Sequence, residues 1–233
     1  NPHHLGEQVV QSAGHDGKID FIYEKELSGS MVLRQALPFF SDWLLVINGD
    51  TFLEIPLPAL LQKITDPAVD GALLVRFDPS GNYAGLLSKD DVFLDVSQPG
   101  YGPGIMYAGA ALFKKRALEK INDLNFFTSI SRNHLYFKTV FYDGIWLDIG
   151  TPESYLRANH AFQAHVMEQG SNSLSANVEI SPRAQVEKSV LWENTRLGDN
   201  VSLYECIVTG NVKLENISQQ RCVISGQGIF SFH

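Results

Sequence analysis

Apolar and polar positions follow two different rules along this chain, and the change falls near residue 170. Before it, short apolar runs alternate with segments of helical spacing. Leu44-Leu45-Val46-Ile47 is an unbroken apolar run closed by Asn48-Gly49-Asp50, the pattern of a strand buried on both faces. Strands are likewise expected over 19–23, 72–77, 107–113 and 136–142, with a short hairpin within 86–96. Ser28-Gly29-Ser30 reads as a turn leading into a helix over 31–40. Pro56 and Pro58 suit the start of a helix over 58–64. A short helix is expected over 115–121. A longer one runs from Pro152 through 168, favoured at its first turn by Glu153, and weak helical character covers 5–13. Asp78-Pro79-Ser80-Gly81-Asn82 is turn-forming by composition, and 98–104 is a loop rich in Gly and Pro. Strands alternating with helices predict an α/β domain with a mostly parallel sheet over 1–168.

After the linker Gly170-Ser171-Asn172-Ser173, apolar residues recur every six positions. Val178, Ala184 and Val190 keep that step, as do Leu191, Leu197 and Leu203. It returns in Val201 and Ile207, in Val208 and Leu214, and in Ile217 and Val223. Neither helical nor strand periodicity produces a sustained step of six. It is the mark of a parallel β-helix, here assigned to 169–233. Each coil of such a fold contacts only its neighbours, so a tail this short is expected to lean on another surface.

The 233 residues carry a formal charge of −8 with Lys and Arg scattered, which argues against a nucleic-acid partner. An acidic chain that binds an anionic ligand needs a local cation. No apolar stretch reaches the roughly 20 residues of a membrane span, and residue 1 opens no signal peptide, so the cytoplasm is the expected location. Cys206 and Cys222 lack the spacing of a zinc site and are expected as reduced, buried thiols. Adjacent His3 and His4 do not share a helix face and suit packing better than joint ligation. The aromatics Phe126, Phe127, Tyr136, Phe137, Phe141 and Tyr142 are expected in a core.

Two acids stand out. Asp50 follows the apolar run, where ligands of open α/β sheets collect. Asp148 lies in Gly144-Ile145-Trp146-Leu147-Asp148-Ile149-Gly150-Thr151-Pro152-Glu153. Each has a bland alternative, a turn aspartate at 50 and a capping or solvated loop aspartate at 148. Together, two carboxylates can hold one hard divalent cation beside a triphosphate.

In this combination and order the motifs resemble the sugar-1-phosphate nucleotidyltransferases. Asn1-Pro2-His3-His4-Leu5 is similar to the family's N-x-H-H-L segment, and 33–39 to the helix after its nucleobase loop. Tyr107-Ala108-Gly109 precedes a strand as in its sugar-binding segment. The resemblance covers about residues 1–162. It implies a Rossmann-like domain, N-terminally incomplete because the family's glycine-rich G-x-G-T-R loop is absent, followed by a short left-handed β-helix. It implies Mg²⁺ held by Asp50 and Asp148 as catalytic acids, with a nucleoside triphosphate and a sugar-1-phosphate as partners. It places Ser28 and Gly29 in the nucleobase loop, and Gly85 and Gly109 against the sugar. Thr151 would touch a sugar hydroxyl or phosphate, or cap the helix that Pro152 opens. Close strand packing is the alternative reason for either glycine. Met31 departs from the family's loop, and Ser97-Gln98-Pro99 stands where many members carry Glu-Lys-Pro.

Three functions compete. The first is nucleotidyl transfer giving a nucleotide-sugar and pyrophosphate. The second is a non-catalytic regulatory or scaffold subunit that keeps the fold and binds sugar nucleotides, in line with the missing loop and the 97–99 departure. The third, acyl transfer in the tail, lacks a histidine among the repeats apart from terminal His233. The β-helix also offers a surface for assembly into a homo-oligomer.

Overall fold

A computed structural model of the chain describes residues 7, 10–11, 19–23, 28–97, 102–166 and 172–232. The segment Asn1 to Leu5, Gln98-Pro99, Gly170-Ser171, His233 and most of the helix expected over 5–13 lie outside the described residues. By contacts the chain divides into two units. One takes the described residues up to Gly49 with Glu54–Gly144, and the other takes Asp50–Leu53 with Ile145–His233.

In the first unit, after helical residues 7 and 10–11, the backbone at 19–23 is irregular and not the expected strand; Ile19 is 48% and Tyr23 60% exposed. No strand among the described residues pairs with this segment, and an unpaired backbone stays solvated. A 3-10 helix over Gly29–Phe39 takes the place of the expected α-helix, with Pro38 inside it. Then come β1 (Trp43–Ile47), β2 (Thr51–Leu53, in the second unit), α1 (Leu57–Lys63), β3 (Gly71–Asp78), β4 (Leu86–Lys89), β5 (Val92–Val96) and β6 (Gly104–Lys114). They are followed by α2 (Lys115–Leu118), α3 (Phe126–Arg132) and β7 (Phe137–Phe141).

Strands order as β1-β6-β3-β7-β5-β4. The α/β class holds, with a mixed sheet. β1, β3, β7 and β4 share one direction, and β3 pairs with β7 in parallel. The remaining neighbours are antiparallel because β6 inserts between β1 and β3, while β4 and β5 form a hairpin. α3 was not legible in the periodicity. Asn125 starts it, its side chain accepting from the Phe127 N–H at 2.8 Å. The core gathers Leu73, Phe113, Ile121, Ile130 and Phe137, with Phe126 and Phe127 packed against it. Phe141 departs from the expected core, 59% exposed on the last residue of β7.

In the second unit β2 pairs antiparallel with β8 (Trp146–Asp148), and α4 (Pro152–Val166) follows. The tail then winds through β9 (Ser173–Leu174), β10 (Glu179–Ile180), β11 (Gln185–Glu187), β12 (Val190–Leu191), β13 (Arg196–Leu197) and β14 (Ser202–Tyr204). It continues through β15 (Ile207–Val208), β16 (Lys213–Leu214), β17 (Ser218–Gln220), β18 (Cys222–Ser225) and β19 (Gly228–Ser231). These strands stack as three sheets, β10-β13-β16, β11-β14-β17 and β9-β12-β15-β18, parallel throughout, and β19 closes the third antiparallel. This is a parallel β-helix. Leu191, Leu197, Leu203, Val208 and Ile224 fill its interior.

Its coils are shorter than three steps of six. Stacked corners Asn177, Asn194 and Asn211 lie 17 residues apart, and Asn200 and Asn216 lie 16 apart. Leu191, Leu197 and Leu203 keep the step of six, but Val208, which continues the series past buried Cys206, follows after only five. α4 joins this unit because Tyr155 and Leu156 pack on Val190, Ile207 and Val223, on the outside of the third sheet. By contacts the division falls at Gly144/Ile145, while the β-helix strands begin at Ser173.

Candidate active site

The second unit brings Asp50 and Asp148 together. β2 and β8 pair Thr51 with Asp148, and the Ile149 N–H donates to the Asp50 carbonyl at 3.0 Å. Alternation along an extended strand would send Asp50 and Thr51 to opposite faces. Asp50 instead lies in the turn before β2, which frees its side chain from that alternation. Its Oδ2 lies 3.4 Å, and Asp148 Oδ1 3.2 Å, from the point where a Cβ on Gly150 would stand. The Gly150 N–H donates to Asp148 Oδ1 at 2.9 Å, fixing that carboxylate. Glycine at 150 therefore does a specific job: it keeps open the spot on which both acids converge. That role was hidden in the sequence, where Gly150 appeared only as part of a motif.

Thr151 caps α4. Its Oγ1 accepts from the Ser154 N–H at 3.1 Å, and the Ser154 hydroxyl accepts from the Thr151 N–H at 2.9 Å. This reciprocal cap, the capping alternative that Thr151 before Pro152 offers, anchors the loop carrying Asp148 to the helix start.

The first unit holds the other candidates. Ser28 and Gly29 form the turn that opens the 3-10 helix, where the Ser30 N–H donates to the Leu124 carbonyl at 2.8 Å. Gly29 has φ +56°, and a side chain there would collide with the Leu124 carbonyl. Gly29 lines a cavity of about 380 Å³ with Val46, Asn48, Tyr107, Asn125 and Phe127. Tyr107 stacks edge-on against Phe126 and Phe127, and its Oη is buried without a hydrogen-bond partner. Burial pushes that phenol well above its ordinary pKa.

Gly109 has φ +94° and sits where β6 slips against β3, between the pairs Leu73–Ala111 and Val75–Tyr107. Its carbonyl accepts from the Asn48 N–H at 2.8 Å. A left-handed bulge needs glycine. Gly85 bridges to Met106 and lines a separate cavity of about 540 Å³ with Asp78, Tyr83 and Ser97. A Cβ on Gly85 would collide with the Ser97 hydroxyl. Gly85 thus has a packing reason and Gly109 a backbone one.

No protein-family model matches the chain. A curated relative from Sulfolobus acidocaldarius, named "Putative mannose-1-phosphate guanyltransferase", is 27% identical over 181 residues, 72% of this chain and 48% of that protein. The chain thus spans about half the length of the curated relative it matches. Among solved structures, HddC from Yersinia pseudotuberculosis complexed with GMP-PN superposes with a TM-score of 0.57 at 23% identity, over 68% of this chain and 73% of HddC. A "Putative Glucose-1-Phosphate Thymidylyltransferase" from Bacillus anthracis, in complex with a sucrose, gives 0.53 at 18%, over 72% and 74%. The chain has the fold of a sugar-1-phosphate nucleotidyltransferase.

The donor set of this nucleotidyltransferase fold suits a hard divalent ion. Two carboxylate oxygens converge, and no cluster of three or more His, Cys, Asp or Glu side chains with metal-site geometry occurs among the described residues. Mg²⁺ takes few protein carboxylates and fills its octahedron with phosphate oxygens and water. No helix among the described residues is long and apolar enough to cross a membrane.

Proposed function

We propose that the protein transfers a nucleotidyl group from a nucleoside triphosphate to a sugar-1-phosphate, giving a nucleotide-sugar and pyrophosphate. The observation that carries this reading is the convergence of Asp50 Oδ2 and Asp148 Oδ1 over Gly150. When bound there, Mg²⁺ would supply charge neutralisation at the α-phosphate and a template for the two phosphates. Asp50 and Asp148 would hold it, with Gly150 keeping the space clear and its N–H fixing Asp148. The rate in such a transfer comes from positioning and charge, with little covalent work for side chains. The turn at Ser28-Gly29 would meet the nucleobase, and the cavity beside Gly85 would receive the sugar. Two free, buried thiols support a reducing compartment, the cytoplasm. Assembly through the β-helix belongs to the same proposal.

Pyrophosphate release with Mg²⁺, read over a grid of nucleoside triphosphates against hexose-1-phosphates, tests it. One productive pair is expected, with Asp50→Ala and Asp148→Ala each at least about a hundredfold slower at unchanged circular dichroism. Wild-type rates in both variants would refute the roles given to the two acids. The second reading, a non-catalytic sugar-nucleotide binder, draws on Ser97-Gln98-Pro99 standing in place of Glu-Lys-Pro. Sugar-nucleotide binding with silence across the grid would establish it instead.

A further inference from the structure

Away from the carboxylate pair, the polar face of α4 and one corner of the β-helix border a cavity of about 340 Å³. Glu153, Arg157 and His160 reach it from α4, at the spacing that aligns side chains on one helix face. Glu205 and Arg221 reach it from stacked corners with φ +51° and +49°, their side chains 3.8 Å apart. Leu156 and Phe232 give it apolar walls, the Phe232 N–H held by the Arg221 carbonyl at 2.9 Å. His160 Nε2 is buried here with no hydrogen-bond partner. A buried ring nitrogen left unpaired is costly, and neither the transfer chemistry nor the packing of the β-helix uses it.

We propose that this cavity binds a small sugar phosphate. Two guanidinium groups and an imidazole suit phosphate oxygens, through the bidentate geometry that arginine favours. The lining also carries two carboxylates, so its charge is nearly balanced and a bare anion would meet repulsion as well as attraction. A ligand bearing hydroxyl groups turns Glu153 and Glu205 into acceptors, while Leu156 and Phe232 face the C–H surface of a sugar ring. The volume lies within the range of small-molecule pockets. None of these residues belongs to the Asp50/Asp148 site, so the inference stands apart from the reading of catalysis.

Calorimetric titration with a hexose 6-phosphate, with the free hexose and inorganic phosphate titrated separately, tests the site without using activity. Saturable binding of the hexose phosphate is expected, weakened at least about tenfold in His160→Leu and in Arg157→Gln. Asp50→Ala should leave it unchanged, separating this site from the transfer site. His160→Leu removes the unpaired nitrogen, so the free variant should melt no lower than the parent, which shows that lost binding is not lost folding. The proposal is overturned by absence of saturation, by affinities unchanged in both cavity variants, or by inorganic phosphate binding as tightly as the hexose phosphate.

Discussion

Asp78, only 5% exposed at the end of β3, accepts from the Ser80 N–H at 2.8 Å, from the Ser80 hydroxyl and from the Tyr83 N–H at 3.1 Å. Burial alone would raise its carboxyl. The Ser80 hydroxyl and the N–H groups of Tyr83, Ser80 and Gly81 outweigh that and hold it below the usual carboxylate range. A lowered folded pKa means stability that is present above the unfolded value near 3.8 and lost as pH falls through the folded value. Asp78→Ala is therefore expected to cost about 1 kcal/mol at pH 7, because it removes the acceptor of three part-buried hydrogen bonds. The difference from the parent should shrink below about pH 4, as the parent's own carboxyl protonates. Denaturant melts at pH 7 and pH 3 would check this; a penalty equal at both would sink the assignment. Single residues also divide by legibility. Motif context singles out Asp50 and Asp148 as candidates, whereas the settings of Gly85 and Gly109, a neighbouring hydroxyl and a bulge, show in no local pattern.

Among elements, the coils of the β-helix show most clearly how sequence became structure. A corner must turn the backbone into the left-handed region, and asparagine tolerates that better than other side-chain-bearing residues. Asn177, Asn194 and Asn211 take φ of +57°, +57° and +62° and bond in a ladder, each step 3.2 Å. Asn194→Ala should cost about 1–2 kcal/mol or more, from the left-handed backbone and two broken ladder bonds. Asn194→Gly should cost less, since glycine keeps the backbone and loses only the ladder. Thermal unfolding of both variants measures the split, and equal penalties would mean that backbone conformation plays no part. The step of six was readable because interior residues repeat along a face. The five-residue sides were not, because shortening occurs at corners that carry no apolar mark. β2 and β8 were invisible for a similar reason: three residues each show no period, and only their pairing makes them strands.

For the molecule as a whole, the second unit's stability can be followed through its thiols. Cys206 and Cys222 face each other inside the β-helix, Sγ to Sγ 3.6 Å, both fully buried. Burial pushes the Cys222 thiol up to about 12, with the Cys206 thiol beside it adding to the effect. An alkylating reagent at pH 8 is expected to modify neither until the β-helix opens, so modification should track unfolding along a denaturant series. Rapid modification of the native protein, read by intact mass, would contradict this packing. The raised folded pKa adds a pH effect. Stability is complete below the unfolded thiol value near 9.0 and falls as pH rises from there toward 12.

The sequence by itself determined the α/β class, the β-helix tail and most element positions, and it singled out two acids as candidates. Each of these depends on periodicity or on residue type at a fixed spacing, which a linear chain displays directly. Only the tertiary structure decided the insertion of β6 between β1 and β3, the attachment of α4 to the β-helix and the convergence of Asp50 with Asp148 over Gly150. The unpaired His160 nitrogen likewise belongs to a cavity that no local pattern announces. These features arise from contacts between residues distant along the chain. Packing and hydrogen bonding choose among arrangements that local pattern leaves equal.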